Sequence, residues 1–349
     1  MISRRTVVAG LAGLGVAGQA GAAVYGDIPA LKTVFPYPLG VACKAAQLGD
    51  PAWTGLASSQ FSRLTAEWEM KMEYMLQDDG SVRFDRADAI VAFARRHGMA
   101  VHGHTLVWYA EDGAFFQKLS GDPAAFLNAY ADYIHAVIGR YKGMVSGWDV
   151  VNEPVWNDGH DLRPCLWRKV LGDDYIGLAL TAAHEADPAA TLFINDYNLE
   201  STPAKRRTFL NLCESVLKKG APLSGIGTQT HIGAELPAGA ITAALGDIAS
   251  LGLKVHVSEV DISLRDDHAL DVAQPRIDQA RRLGELVEAY DAMPAAQRYG
   301  ITLWGLRDSD SWLNTGDNRK LVADEPLLFD GQGRAKPLAM AFVAAERGQ

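Results

Sequence analysis

Short apolar runs of strand length alternate with longer amphipathic segments along most of this chain. Eight runs rich in β-branched and aromatic residues predict strands at Pro38–Cys43, Arg63–Glu67, Met99–Leu106, Val145–Val151, Thr191–Asp196, Ser224–Thr230, Leu253–Glu259 and Gly300–Leu306. The segments between them predict helices at Ala87–His97, Pro123–Lys142, Asp174–Ala186, Pro203–Lys219, Ala238–Leu251 and Pro275–Tyr290. Residues typical of helix ends border several of them: Asp85, Asp122, Thr202, Gly98, Gly220 and Gly252.

Strands that alternate with helices indicate an α/β fold with a parallel sheet, and eight strands suit a (β/α)8 barrel, the TIM barrel. The chain has 349 residues, of which 48% are hydrophobic, and such a barrel occupies roughly 250 to 400 residues as one domain. A doubly wound open sheet is the alternative. It usually has fewer strands and a glycine-rich phosphate turn after the first strand, which this chain lacks. We therefore predict a single barrel over residues 24–349.

The first 23 residues resemble an export signal. Arg4 and Arg5 precede an apolar run from Thr6 to about Gly18, and small residues follow up to Ala23. The arginine pair is typical of a twin-arginine signal, and an ordinary export signal is the alternative. We expect cleavage within the small residues and a periplasmic or secreted protein. The remaining chain has no apolar run of membrane-spanning length, so we expect no membrane contact in the mature form.

Charge and cysteine content narrow the possible partners. The net charge is −9 and the basic residues are scattered, which argues against nucleic acid or an anionic membrane surface as the partner. The three cysteines are Cys43, Cys165 and Cys213, and their odd number does not make a disulfide framework, although one pair remains open. Their spacing resembles no zinc or iron–sulfur site. We predict no cofactor and expect a monomer.

Two glutamates lie at the ends of predicted strands. Trp148–Val151 leads into Asn152 and Glu153, and the apolar run that starts at Lys254 delivers Glu259. A lone Asn-Glu pair would be read as a surface charge or a helix cap. Polar or aromatic groups, however, collect at seven consecutive strand ends: Glu67, His102, His104, Trp108, Asn152, Glu153, Asn195, Asp196, Gln229, His231, Glu259, Asp261 and Trp304. In a barrel these ends form one face, where active sites lie.

A pair of glutamates suits glycoside hydrolysis. One carboxyl, kept neutral, protonates the leaving oxygen, while the other attacks the anomeric carbon or activates a water. Asn152 is placed to donate to a sugar 2-hydroxyl. Trp108, Trp304 and Trp312 offer flat faces for sugar rings, whereas Trp148, inside a strand, is predicted to fill the core.

The pattern His102-Gly-His104 admits a second interpretation, since both imidazoles point to the same side of a strand. They could begin a hydrolytic metal site completed by His231 and Asp308. The fourth and fifth strands, however, offer amides and acids rather than histidine or lysine. We therefore predict no metal, a hydrogen-bonding role for His104, and a place in the barrel wall for His102.

Seven segments together resemble glycoside hydrolase family ten, the β-1,4-xylanases, over nearly all of the chain after the signal. They are Thr65–Lys71, Gly103–Trp108, Trp148–Glu153, Ile194–Asn198, Gly227–His231, Ser258–Asp261 and Trp304–Asp308 with Ser311 and Trp312. The resemblance implies a (β/α)8 barrel that hydrolyses xylan or xylo-oligosaccharides with retention of configuration. It implies Glu153 as acid/base and Glu259 as nucleophile.

The resemblance also implies roles for the neighbouring residues. Asn152 would bind the sugar 2-hydroxyl, and His231 would hydrogen-bond Glu259 with Asp261 behind it. The substrate pocket would be formed by Glu67, Lys71, His104, Gln229, Trp108, Trp304 and Trp312. One position departs from the family pattern Glu-Asn-x-Met-Lys, because Trp68 stands in place of the asparagine. Trp68 either packs inward or alters sugar binding beyond the point of cleavage.

Two other functions remain open on the sequence. A barrel glycosidase with the same two glutamates could act on β-glucans instead of xylan. A barrel that has lost catalysis could only bind sugars, although the presence of both glutamates argues against it.

Overall fold

The computed structural model describes residues 27–264, 273–318 and 322–348. Its centre is a closed barrel of eight parallel strands: β1 Leu39–Cys43, β2 Arg63–Ala66, β3 Ala100–Trp108, β4 Val145–Asn152, β5 Thr191–Asp196, β6 Gly225–Thr228, β7 Lys254–Ser263 and β8 Arg298–Leu303. Each strand pairs with the next along the chain, and β8 pairs with β1. The predicted TIM barrel is confirmed, and the open sheet is excluded. The predicted export signal lies outside the described residues.

Helices lie between the strands and at both ends of the described chain. They are α1 Leu31–Val34, α2 Pro51–Gln60, α3 Met72–Met75, α4 Asp85–Arg96, α5 Ala114–Leu119, α6 Pro123–Tyr141, α7 Leu166–Leu171, α8 Tyr175–Ala186, α9 Pro203–Lys218, α10 Ala240–Ala249, α11 Ala273–Asp291 and α12 Pro337–Glu346. Short 3-10 turns occur at Ala45–Gly49, Gly172–Asp174, Ala295–Gln297, Asp308–Asp310, Trp312–Asn314 and Gly316–Asn318. None of the described helices is both long and apolar enough to cross a membrane.

Local sequence explains where several helices begin. The Asp122 side chain accepts hydrogen bonds from the backbone N–H groups of Ala124 and Ala125, so it caps α6 as its residue type predicts. Thr202 occupies the same position before α9 without a capping side-chain bond, and proline follows it as the first helical residue. Asp85 lies inside α4 as its first residue, where a carboxylate favours the positive end of the helix dipole.

Strands β6 and β7 depart from the predicted bounds. β6 ends at Thr228, and Thr230 adopts a left-handed conformation with φ +62° before a short strand at His231–Gly233. That short strand pairs with the end of β7, so β7 continues to Ser263. Glu259 therefore lies within a strand rather than at its end, because the chain beyond it has found a pairing partner.

The core runs through the barrel and out to the helices. Trp148 is fully buried in it, which confirms the core role predicted for this residue. Its ring packs so closely on Gly103 that a Cβ atom at that position would lie 2.0 Å from ring atom Cε3. Only glycine fits there, between His102 and His104. The three cysteines are free thiols, so the open possibility of a disulfide is excluded.

Candidate active site

Glu153 and Glu259 lie on the face of the barrel formed by the carboxyl ends of the strands. Glu153 follows β4 directly and adopts a left-handed conformation with φ +56°, while its N–H donates to the Asn195 carbonyl at 2.7 Å. Such a conformation is costly for a residue other than glycine, and it is concentrated at functional sites. Both side chains are nearly buried, with 8% of Glu153 and 4% of Glu259 exposed.

A chain of amides connects the two carboxylates. Glu153 Oε1 accepts from Gln229 Nε2 at 3.0 Å and from Asn152 Nδ2 at 3.1 Å. Asn195 Nδ2 then donates both to Asn152 Oδ1 at 2.9 Å and to Glu259 Oε1 at 2.8 Å. The structure therefore brings Asn152 and Gln229 to Glu153, as a shared site requires.

Asn195 is a site residue to which sequence reasoning gave no role. Its amide orientation is set by Ser258 Oγ, which donates to Asn195 Oδ1 at 2.8 Å. In the sequence, the signal for Asn195 is its position at the polar end of an otherwise apolar strand. Its hydrogen-bond partners come from other strands, so they are defined only once the barrel closes.

His231 bridges two acids on the other side of Glu259. Its Nε2 lies 3.2 Å from Glu259 Oε2, and its Nδ1 lies 2.9 Å from Asp261 Oδ2. Trp312 Nε1 donates to the same Asp261 oxygen at 2.8 Å. Burial alone would lower the pKa of His231, but the carboxylates of Asp261 and Glu259 raise it to about 10. His231 is therefore an imidazolium at neutral pH, in hydrogen-bond contact with Glu259 through Nε2 and in an ion-pair contact with Asp261 through Nδ1.

The electrostatics of Glu259 favour its ionised form. Burial alone would raise the pKa of Glu259, but His104 and the hydrogen bond from His231 outweigh burial and hold that pKa below its ordinary value. His104 Nδ1 lies 4.0 Å from Glu259 Oε1. Trp304 packs edge-on against His104, with ring centroids 5.2 Å apart. Glu259 thus has the charge state that a nucleophile needs.

Asp149 orients His104 from within the barrel. Its Oδ2 accepts from His104 Nδ1 at 2.8 Å, and its Oδ1 lies 3.1 Å from His102 Nε2. Although burial raises the pKa of Asp149, His102 and His104 together hold it well below the ordinary range. Sequence reasoning missed Asp149, whose signal was a carboxylate inside an otherwise apolar strand.

Lys71 lies between two indole rings. Its Nζ is 4.2 Å from the centroid of the Trp68 ring and 4.7 Å from that of Trp108. Trp68 also contacts Tyr74, with ring centroids 5.8 Å apart, and is half-buried. Trp68 is therefore part of the pocket wall beside Lys71 rather than of the core.

Glu67, predicted to line the same pocket, pairs with Lys44 across 3.1 Å. Burial raises the pKa of Glu67, against the opposing attraction of Lys44.

A buried ion pair supports the backbone beyond Glu153. Asp196 Oδ1 lies 2.6 Å from Lys205 Nζ, and Asp196 Oδ2 accepts from the Val155 N–H at 3.1 Å. Burial raises the pKa of Asp196 to about 6, although Lys205 opposes that rise. Arg163 Nε adds a hydrogen bond to the Glu153 carbonyl at 3.2 Å. These contacts fix the segment that carries Glu153.

The hydrolytic metal site considered from His102 and His104 does not assemble with the other two residues. His231 is engaged by Glu259 and Asp261, and Asp308 pairs with Lys336 at 2.8 Å. The arrangement instead supports acid–base and nucleophilic chemistry by two carboxyl groups. One is ionised beside an imidazolium, and the other is held by amides, which suits cleavage of a glycosidic bond.

Comparisons with known proteins show which family the chain belongs to. The family model described as glycosyl hydrolase family 10 matches residues 29–345. The "Exoglucanase XynX" of Acetivibrio thermocellus is 34% identical over 337 residues, which cover 92% of this chain and 30% of that protein. This chain therefore spans less than a third of that relative's length. An "Endo-1,4-beta-xylanase" of Geobacillus stearothermophilus is 37% identical over 325 residues, which cover 89% of this chain and 97% of that protein.

Among solved structures, that of xylanase XynB from Paenibacillus barcinonensis superposes with a TM-score of 0.83 at 32% identity. The superposition covers 91% of this chain and 98% of that one. The extent of the match, together with the barrel and its paired glutamates, shows that the chain belongs to glycosyl hydrolase family 10.

Proposed function

We propose that the protein is an endo-1,4-β-xylanase that cleaves internal bonds of xylan with retention of configuration. The observation that supports this most directly is the hydrogen-bonded path from Glu259 through Asn195 and Asn152 to Glu153. This path holds an ionised carboxylate, Glu259, and a potential acid, Glu153, in one site. The relative from Geobacillus stearothermophilus, which this chain matches over nearly its whole length, is named as such a xylanase.

In the proposed reaction Glu259 attacks the anomeric carbon while Glu153 protonates the leaving oxygen. A glycosyl-enzyme ester forms, and Glu153, now ionised, accepts a proton from the water that hydrolyses it. His231 and His104 stabilise Glu259 as a carboxylate before attack and again when it leaves. Trp304 and Trp312 provide apolar faces near the same end of the barrel, where sugar rings would stack.

A digest of soluble glucuronoxylan tests this proposal. Products are sized over time, and the anomeric protons are followed by NMR in the first minutes. We expect a spread of oligomers at early times with the β-anomer formed first, because two displacements restore the original configuration. Release of the α-anomer first would contradict retention, and release of only the shortest sugar would contradict internal cleavage.

A β-glucanase of the same type is the second candidate. It is favoured by the name of one relative, an exoglucanase with 34% identity over this region. Rates on xylan and on carboxymethyl cellulose, compared at equal mass concentration, separate the two. A faster reaction on cellulose would keep the two glutamates in their roles and change the substrate.

We also propose that the protein is exported by a twin-arginine signal, on the strength of Arg4, Arg5 and the apolar run that follows them. Expression of the full chain with both arginines replaced by lysine, followed by cell fractionation, tests it. The variant should stay in the cytoplasm while the parent leaves it.

A further inference from the structure

Three buried polar atoms converge inside the barrel, away from the two glutamates. They come from His102 on β3, Asp149 on β4 and His256 on β7, and each of these residues offers one ligand atom within 4.8 Å of the other two. Within the part of the chain that the structure describes, the polar atoms that have no aligned hydrogen bond in these residues are His102 Nε2, Asp149 Oδ1 and His256 Nδ1. His102 Nε2 and Asp149 Oδ1 are 3.1 Å apart, without the alignment that a hydrogen bond needs.

Each of the three side chains is anchored through its other polar atom. His102 Nδ1 lies 3.2 Å from the Tyr299 hydroxyl, and His256 Nε2 lies 2.8 Å from Thr302 Oγ1. Asp149 Oδ2 is taken by His104 Nδ1 at 2.8 Å. Such outer partners fix the ring orientation and tautomer of metal-binding histidines. Here they hold the three side chains so that one ligand atom of each lies within 4.8 Å of the other two.

Burying three polar atoms without an aligned hydrogen bond is unfavourable, although two of them are in ion-pair contact at 3.1 Å. Native proteins normally satisfy such groups with protein, water or an ion. We propose that these three atoms bind a divalent transition-metal cation, with Zn²⁺ as the best match. Two imidazoles and one carboxylate form a nitrogen-rich set that suits Zn²⁺ and its neighbours, whereas Ca²⁺ and Mg²⁺ prefer oxygen ligands.

The charges around the site limit its affinity. Asp149 contributes one negative charge, and the buried Arg63 guanidinium lies 4.0 Å from the Tyr299 ring centroid, with Nη2 donating to the Tyr299 carbonyl at 3.1 Å. This positive charge opposes a second cation. We therefore expect weaker binding than in a site of the same ligands without a buried arginine. The ion would be structural, because it would hold Asp149 and, through it, His104 beside Glu259.

Metal analysis of the untagged full-length protein tests the proposal. The protein is unfolded in guanidinium with a chelator, refolded with or without Zn²⁺, and dialysed, since a dry interior is best loaded during folding. We expect about one zinc per chain by mass spectrometry and a higher thermal midpoint for the zinc-loaded sample. Less than a tenth of an equivalent of zinc in the refolded protein, with an unchanged thermal midpoint, would overturn the proposal and leave water as the occupant of the site.

Variants locate the ion. His256→Gln should abolish zinc retention, while His184→Gln, a change at an exposed histidine of α8, should retain it in full. Because His256→Gln removes a core side chain and could unfold the protein, Thr302→Val serves as the second variant. It deletes only the outer partner of His256 and should weaken zinc affinity by about 10- to 100-fold. Zinc bound equally by the parent and by both core variants would place the ion elsewhere.

Discussion

His231 Nε2 lies 3.2 Å from Glu259 Oε2, so a positive and a negative side chain are in contact at the carboxyl-terminal face of the barrel. The contact acts on both partners, because it raises the pKa of His231 and lowers that of Glu259. A nucleophilic carboxylate must be ionised, and burial alone would work against that state. Together with His104, the contact therefore extends toward lower pH the range in which the nucleophile is ionised.

Replacing His231 by asparagine should shift the acid limb of kcat/KM to higher pH. Without the imidazolium the burial of Glu259 is less well compensated, so its pKa rises. The measurement is a pH profile with an aryl xylobioside whose leaving group needs no proton, so that only the nucleophile is reported. An unchanged acid limb would show that His231 does not control Glu259, and His184→Asn is the control.

Folding stability provides an independent measurement for the same variant. The raised pKa of His231 stabilises the folded state fully below the unfolded value of 6.5, and this contribution is lost as the pH rises through about 10. The difference in unfolding free energy between the parent and His231→Asn should therefore shrink as the pH goes from about 6.5 to 10. A constant difference over this window would contradict the raised pKa.

Alanine variants of the two glutamates should behave differently. Glu259→Ala should abolish turnover of every substrate, because no covalent intermediate can form. Glu153→Ala should lose about 10²- to 10⁴-fold on xylan yet retain the first step on substrates with activated leaving groups, since these need no acid. Burst kinetics with a dinitrophenyl xylobioside measure that step. Equal losses on both substrates in Glu153→Ala would contradict the assigned roles, and the exposed Glu185→Ala is the control.

The sequence predicts most of the barrel but fewer of the contacts within its site. Alternating apolar runs locate the eight strands, because each strand carries its own local signal. Asp149 gives no such signal of function, since its partners His102 and His104 lie on a neighbouring strand and meet it only through the strand register. The same holds for His256, which is distant along the chain from His102 and Asp149, the other two ligands that we propose for the ion.

Trp68 illustrates the opposite case. Its departure from the family pattern is visible in the sequence, and its contact with Lys71, three residues later, is local. Whether it faces the core or the pocket depends on Trp108, which comes from the next strand and completes the wall around the ammonium group. Local sequence therefore identifies the unusual residue, and tertiary packing decides its position.

Asn195→Ala should impair catalysis on activated and natural substrates alike. The change removes the donor to Glu259 and the link to Asn152 in one step. A buried hydrogen bond to a charged group is worth about 1.5–3 kcal/mol, so kcat/KM should fall about 10- to 100-fold. Ser258→Ala removes the bond that orients the amide and a bond to the Thr228 carbonyl at 3.2 Å, but it keeps both contacts of Asn195 Nδ2, so it should cost less. The measurement is steady-state kcat/KM of both variants on an activated and a natural substrate. A larger loss in Ser258→Ala than in Asn195→Ala would contradict the bridging role of Asn195.

Lys205→Met should strongly destabilise the fold. Lys205 and Asp196 form a 2.6 Å ion pair in which neither side chain is exposed, so the change leaves an unpaired carboxylate in the core. Breaking such a pair costs about 3–5 kcal/mol. The measurement is equilibrium unfolding in urea. Lys219→Met breaks an ion pair of the same length, with Asp174, on the surface, and it should leave the stability almost unchanged because solvent screens that pair.

The double variant Lys205→Met with Asp196→Asn separates lost attraction from uncompensated charge. Asparagine keeps an oxygen for the Val155 N–H, which Asp196 Oδ2 accepts at 3.1 Å, but it carries no charge that would need a partner. If the penalty in Lys205→Met is the buried charge, the double variant should recover most of the lost stability. It should then also retain the backbone position of Glu153. A double variant as unstable as the single one would show that Lys205 acts mainly by filling space.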